Sequence, residues 1–188
     1  MLEALLVPTG VVALAEIGDK TQLLALVLAA RYRKPLPIIA GIFIATLLNH
    51  ALAGAVGALA AAALGPDILR WVLGLSFIVM GIWTLIPDKI DDAQETAPPR
   101  FGVFAATVIA FFLLEMGDKT QIATVALAAR YDALALVVIG TTLGMMLANV
   151  PVVLLGQLAG KSLPLRPIHI TTAAIFVVMG VVVLMRGV

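Results

Sequence analysis

Long apolar stretches, divided by short polar or proline-containing breaks, follow one another through the whole sequence. Six of them are long enough to cross a bilayer, for which a helix needs about 20 apolar residues. They cover residues 4–30, 36–63, 68–87, 101–130, 134–160 and 167–186. The pattern therefore predicts an all-α, polytopic membrane protein with six transmembrane helices.

The composition supports a membrane protein and excludes several classes of soluble protein. Hydrophobic residues make up 62% and charged residues 12% of the 188 residues, against about 45–50% and about 25% in ordinary globular proteins. A small soluble domain has too large a surface to bury so much apolar side chain, so we expect neither a soluble enzyme nor a disordered chain. The net charge of +1 gives no indication of nucleic-acid binding.

The cysteine count and the N-terminal sequence lead to two further expectations. The chain has no cysteine, which excludes disulfides and thiolate metal sites. No basic region or small-residue cleavage site precedes the first apolar stretch, so we expect no removable signal peptide.

The sequence repeats itself at a constant offset of 99 residues. Residues 16–22 read E-I-G-D-K-T-Q and residues 115–121 read E-M-G-D-K-T-Q, and shorter matches follow at the same offset. We therefore expect a first three-helix repeat (1–87), a linker (88–100) and a second three-helix repeat (101–188) within one integrated membrane domain.

The two repeats are expected to cross the membrane in opposite directions. Three spans per repeat is an odd number, and the polar linker is too short to cross, so the second repeat enters from the other face, as in many secondary transporters. Positive loop residues favour the linker face by seven to three, which predicts a cytoplasmic linker and both termini outside. The seven are Arg31, Arg33, Lys34, Lys89, Arg100, Lys161 and Arg166, and the three are Arg70, Arg130 and Arg186.

Six ionisable residues lie near the middle of the first and fourth apolar stretches. A charge at the bilayer centre costs about 2.5–3.5 kcal/mol on the insertion scale, so these side chains must face one another or a wet cavity. If each stretch is one continuous helix, both acids, the lysine and the glutamine of a motif share about half of its circumference. The six residues are Glu16, Asp19, Lys20, Glu115, Asp118 and Lys119.

If the two motifs meet, four carboxylates and two ammonium groups converge with a formal charge that matches a divalent cation. Carboxylate and amide oxygens are hard ligands that suit Ca²⁺, Mn²⁺ or Mg²⁺. Metal and protons would compete for the same oxygens, which is the physical basis of metal/proton exchange. We expect Glu16, Asp19, Glu115 and Asp118 to bind the metal and to couple it to protons.

The other motif residues are expected to have supporting roles, and several of them allow two interpretations. Gln22 and Gln121 are expected to complete or orient the oxygen shell, and Lys20 and Lys119 to balance charge. Thr21 and Thr120 either bind the ion or bond to their own helix. Gly18 and Gly117 either permit local unwinding or let another helix approach, and close packing is favoured. The alternative for the whole motif is a Glu–Lys ion pair within each copy that only docks helices.

Three polar residues of the second and fifth stretches are expected to be helix contacts. Asn49 and Asn149 are expected to form interhelical hydrogen bonds. His50 is expected to be a hydrogen-bonded contact, with a proton relay as the alternative. The G-x-x-x-G pairs that begin at Gly140 and Gly156 are expected to allow close helix packing, and Met80 and Met179 to fill the core.

The doubled pattern resembles a family of membrane cation/proton exchangers defined by two E-x-G-D-K-[TS] motifs, with members among Golgi manganese/calcium transporters and bacterial manganese exporters. The resemblance covers almost the whole chain and both motifs match without a substitution. It implies export of Mn²⁺ and/or Ca²⁺ from the cytosol in exchange for protons, with metal binding by the four motif acids. It implies no prosthetic group, and the short linker resembles prokaryotic members, which implies a cell (inner) membrane location.

The sequence alone leaves rival functions open. A passive divalent-cation channel would also need acids in a pore, and a structural subunit could use the motifs for docking. A membrane-embedded metal enzyme is disfavoured, because the only histidines are His50 and His169. The sequence does not decide between Mn²⁺ and Ca²⁺, and a homo-oligomer is compatible with it.

Overall fold

The computed structural model describes residues 1–86, 102–155 and 165–187, and all regular structure in these ranges is α-helical. The predicted linker 88–100 lies outside the described residues, as do Gly156, Gly160 and Lys161. The eight helices are α1 (Glu3–Glu16), α2 (Lys20–Tyr32), α3 (Pro35–Ala63), α4 (Pro66–Thr84), α5 (Gly102–Glu115), α6 (Lys119–Arg130), α7 (Leu134–Leu155) and α8 (Leu165–Arg186).

Four of these helices are long and apolar enough to cross a membrane. They are α3, α4, α7 and the His169–Arg186 part of α8, and they correspond to the second, third, fifth and sixth predicted stretches. The described part of the chain is therefore all-helical, with the apolar helices of a polytopic membrane protein. The expectation of a continuous helix was wrong for the first and fourth stretches, because each consists of two shorter helices, α1 with α2 and α5 with α6.

A glycine and the residues that follow it interrupt each of the two broken stretches. Gly18 has φ +84° and Gly117 has φ +76°, a left-handed conformation that glycine adopts at little cost and that ends a helix. No heavy atom lies within 4 Å of the position that a Cβ of Gly117 would occupy. The expected close packing is therefore wrong at Gly117, and the local unwinding is what the structure shows.

The next helix begins at once because the motif caps it. Asp19 is the N-cap of α2, and its Oδ1 accepts a hydrogen bond from Lys20 N at 2.7 Å. The amide oxygen of Gln22 accepts from Gly18 N at 2.8 Å, and that of Gln121 accepts from Gly117 N at 2.6 Å. This is close to a capping box, in which the residue three positions into the helix reaches back to the chain before it.

The helices pack mainly across the two halves of the chain. The largest contacts are those of α4 with α8, α1 with α7, α3 with α6, and α3 with both α5 and α7. Both hydrophobic core clusters contain residues of each half; one of them includes Phe77 of α4 stacked against Phe176 of α8. Neither half has a separate core among the described residues.

Small residues allow the close approach of α7 to α1. A Cβ on Gly140 would lie 2.5 Å from Leu5 O, and one on Gly144 would lie 2.5 Å from Thr9 O. The close packing expected at Gly140 and Gly144 is thus confirmed. Met80 is buried in the core and Met179 packs against it, as expected.

We predict that Gly144→Ala destabilises the protein. The atoms nearest to the added methyl group, Thr9 O and Ala13 N, belong to the backbone of α1, so the two helices must separate, at a cost of about 1–3 kcal/mol. Gly10→Ala is the matched control, because nothing lies within 4 Å of its Cβ position. Thermal unfolding in detergent should give a lower midpoint for Gly144→Ala alone; equal midpoints would contradict the packing.

Candidate functional site

The four motif acids are buried at the two helix breaks. Glu16 and Glu115 are the last residues of α1 and α5, and Asp19 and Asp118 are the N-caps of α2 and α6. Their exposed fractions are 0–1%. None of these side chains faces the lipid, as their cost at membrane depth requires.

Two ion pairs cross between the motifs. Lys20 Nζ lies 3.3 Å from Asp118 Oδ1, and Lys119 Nζ lies 3.8 Å from Asp19 Oδ1. The lysine of one half thus neutralises an aspartate of the other. The alternative of a docking role within one motif would have paired Lys20 with Glu16, and Lys20 contacts Asp118 instead. The two motifs therefore meet in one cluster.

The glutamates belong to the same electrostatic cluster. Glu16 experiences the negative charges of Glu115 and Asp118, and Glu115 experiences the charges of Asp118 and Lys20. A group of acids this close in a low-dielectric interior is stable only if cations or protons compensate it. The geometry therefore favours any positive species that reaches the cluster.

Both motif threonines hold a glutamate of their own motif. Thr21 Oγ1 donates to Glu16 Oε1, and Thr120 Oγ1 donates to Glu115 Oε1. This contact differs from the bond to their own helix that was one expectation, and binding of the ion, the other expectation, stays a prediction. The second oxygens, Glu16 Oε2 and Glu115 Oε2, have no hydrogen-bond partner within the described ranges, and neither does Asp118 Oδ2. These buried oxygens are available to a ligand.

Helices α3 and α7 contribute the polar wall opposite the glutamates. Asn149 Nδ2 donates to Glu16 Oε1 at 3.0 Å, and His50 Nε2 lies 3.6 Å from Glu115 Oε1. These two residues occupy equivalent positions in the two repeats, 99 residues apart. His50 has no hydrogen-bond partner among the described residues, which differs from the hydrogen-bonded contact expected from the sequence.

The glutamines tie the breaks to the same two helices. Gln22 Nε2 donates to Ala148 O at 3.1 Å, and Gln121 Nε2 donates to Asn49 Oδ1 at 3.2 Å. Asn49 in turn donates to Phe112 O at 3.0 Å. Since both glutamine oxygens accept from a motif glycine, these side chains position the breaks in this conformation.

Two residues of α8 that the sequence did not single out reach the first break. His169 Nε2 lies 3.2 Å from Ile17 O, and Thr172 Oγ1 donates to Leu14 O at 3.2 Å. These carbonyls lie at the C-terminal end of α1, where a helix leaves acceptors without intrahelical partners. A break at Gly18 would have been the signal to search for such donors.

The cluster does not form a complete metal shell in this conformation. Within the described ranges, no three histidine, aspartate or glutamate side chains are placed to hold one ion. Instead the aspartates contact lysines and the glutamates contact threonines. A cation shared by the four acids would require the lysines to move away from Asp19 and Asp118.

We predict that Lys20 and Asp118 are energetically coupled. A double-mutant cycle of Lys20→Gln and Asp118→Asn should give a coupling energy on the order of 1–2 kcal/mol, because the second change removes the charge that the first leaves uncompensated. Unfolding in mixed micelles measures it. Lys20→Gln combined with Glu3→Gln is the control and should be additive, since Glu3 is exposed at the start of α1. Additivity of the first pair would contradict the contact.

Comparison with known proteins identifies the family of the chain. The profile of a family described as "Divalent cation/proton antiporter GDT1" matches residues 4–92 and 103–188. A Vibrio cholerae protein named "Putative manganese exporter" is 58% identical over 180 residues, which are 95% of this chain and 89% of that protein. A GDT1-like protein of Synechocystis is 25% identical over 97% of both chains, and GDT1-like protein 3 of rice is 24% identical over 94% of this chain and 71% of its own length.

No solved structure matches the chain. The family match includes both motifs and nearly all of the described helices, and the relatives align over most of their length. The chain therefore belongs to the GDT1 family of divalent cation/proton antiporters, and it is a transporter rather than an enzyme.

Proposed function

We propose that this protein exports Mn²⁺ and/or Ca²⁺ from the cytosol of a prokaryotic cell in exchange for protons. The observation that carries the proposal is the single buried cluster of four carboxylates that the two motifs build together. The resemblance to the Vibrio cholerae protein, whose name describes manganese export, supports Mn²⁺ as a substrate.

The charge of the cluster supplies the exchange mechanism. Glu16, Asp19, Glu115 and Asp118 with the two lysines carry a formal charge of −2 when all are ionised. One divalent cation or two protons neutralises this charge. Because a net charge in the bilayer interior is costly, the protein changes conformation readily with either cargo and poorly with none. Metal and protons therefore move alternately in opposite directions.

The lysines act as internal counter-ions in this scheme. In the described conformation they neutralise Asp118 and Asp19. An arriving metal ion competes for these aspartate oxygens and releases the ammonium groups, while the free oxygens of Glu16 and Glu115 complete its binding. The hard oxygen donors suit Mn²⁺ and Ca²⁺.

An inverted repeat of six membrane passes is the architecture that we propose, with α1–α2 and α5–α6 each forming one interrupted pass. The contacts come in equivalent pairs: Lys20 with Asp118 and Lys119 with Asp19, and α1 with α7 and α5 with α3. Interrupted helices at a midplane site are typical of such transporters. The breaks at Gly18 and Gly117 would be the hinges for alternating access.

Purified protein in proteoliposomes under an imposed pH gradient tests the transport proposal. We expect Mn²⁺ or Ca²⁺ uptake with proton movement in the opposite direction. Asp19→Asn or Glu115→Gln should lower the uptake by about 10- to 100-fold, at least the loss typical of changes around a metal site. Glu3→Gln removes an exposed carboxylate of α1 and serves as the control. Undiminished flux in the site variants would contradict the site, and flux without proton movement would indicate a channel.

Single cysteines test the inverted repeat, because the native chain has none. Arg33 and Asp132 are equivalent loop positions of the two repeats. We expect a membrane-impermeant maleimide to label Asp132→Cys in intact cells and Arg33→Cys only after permeabilisation. Labelling of both from the same side would contradict opposite orientation of the repeats.

A further inference from the structure

His50 is a completely buried imidazole at the edge of the acidic cluster. Its Nε2 lies 3.6 Å from Glu115 Oε1, which is beyond hydrogen-bond distance. Neither Nδ1 nor Nε2 has a hydrogen-bond partner within the described ranges. Buried polar atoms without partners are destabilising, so an imidazole that served only to pack helices would be an unfavourable choice here.

The equivalent residue of the other repeat makes the hydrogen bonds that His50 lacks. Asn149 uses its amide nitrogen for Glu16 Oε1 at 3.0 Å and for Met145 O at 3.1 Å. It therefore fixes its glutamate and its own helix with ordinary hydrogen bonds. His50 occupies the same place beside Glu115 and makes neither bond, so the two sides of the cluster differ in chemistry.

The part of the cluster around Glu115, here called the Glu115 side, contains both the imidazole of His50 and a carboxylate oxygen without a partner. Glu115 Oε2 has no hydrogen-bond partner among the described residues either, and Glu115 Oε1 already accepts from Thr120. An ion that reaches Glu115 Oε2 thus approaches the imidazole of His50. Neutral imidazole is a ligand for first-row transition metals, whereas Ca²⁺ takes its six to eight ligands from oxygen.

We propose that His50 is a nitrogen ligand on the Glu115 side of the cluster, and that it makes the transporter favour Mn²⁺ and related transition metals over Ca²⁺. The inference rests on the proposed function, because it assumes that the cluster binds the transported ion. It adds a donor that the motif acids do not supply and names the class of metal that this donor selects.

Pulsed EPR of the purified full-length protein loaded with Mn²⁺ tests the contact directly. The chain has two histidines, so an imidazole ¹⁴N coupling to Mn²⁺ can be assigned by substitution. We expect the coupling in the native protein and in His169→Asn, and its loss in His50→Asn. If the native protein shows no such coupling, or if His50→Asn retains it, the inference is wrong.

Transport selectivity gives the second measurement. We expect His50→Asn to lower the ratio of Mn²⁺ to Ca²⁺ uptake rates in proteoliposomes by roughly tenfold, the scale of changes around a metal. Glu3→Gln, which removes an exposed carboxylate of α1, should leave this ratio unchanged. A parallel fall of both rates in His50→Asn would assign His50 a structural role and overturn the proposal. His50→Gln gives the same measurement if the asparagine variant does not insert into the membrane.

The two proposals fail in different ways. If the native protein moves neither ion under a pH gradient, the proposed function is wrong. If it moves both ions and the His50 variants leave the uptake ratio and the ¹⁴N coupling unchanged, only the role of His50 is wrong.

Discussion

The mutual neutralisation of buried charges governs this structure. The four carboxylates and Lys119 are at most 3% exposed, so their charges require compensation within the protein. The fold provides it by pairing Lys20 with Asp118 and Lys119 with Asp19. Because each pair joins the two halves, the helices must pack across the repeat boundary. The shared core and the close approach of α7 to α1 are part of this packing.

The helix breaks bring these charges to one place. A continuous helix would point Glu16 and Asp19 along one face, whereas the break makes one the end of α1 and the other the cap of α2. Three residues of the motif produce this geometry: a glycine with positive φ, an aspartate cap and a glutamine whose side chain bonds back to the glycine. Threonine then fixes the glutamate. The same few residues thus shape the backbone and supply the buried charges, so any change at the break would also move the cluster.

Much of the fold followed from the sequence, because apolar length and the 99-residue repeat are strong signals. The helices predicted from stretches 36–63 and 134–160 begin within a residue of α3 and α7. Local unwinding at Gly18 and Gly117 was the less favoured of two alternatives because hydropathy does not register a break, although Gly18 followed by D-K-T-Q resembles a helix N-terminus. The burial of the four acids followed from the cost of placing their charges in lipid. The crossed ion pairs and the reach of His169 to Ile17 depend on tertiary packing, which no local pattern encodes.

The crossed pairs also constrain how the protein is made. Asp118 is synthesised almost a hundred residues after Lys20, which corresponds to a delay of about 5–20 s at ordinary translation rates. During that interval Asp19 and Lys20 still lack their counterparts from the second half. Biogenesis of this transporter is therefore completed only when the second half arrives, and a truncated first half should be a substrate for membrane quality control.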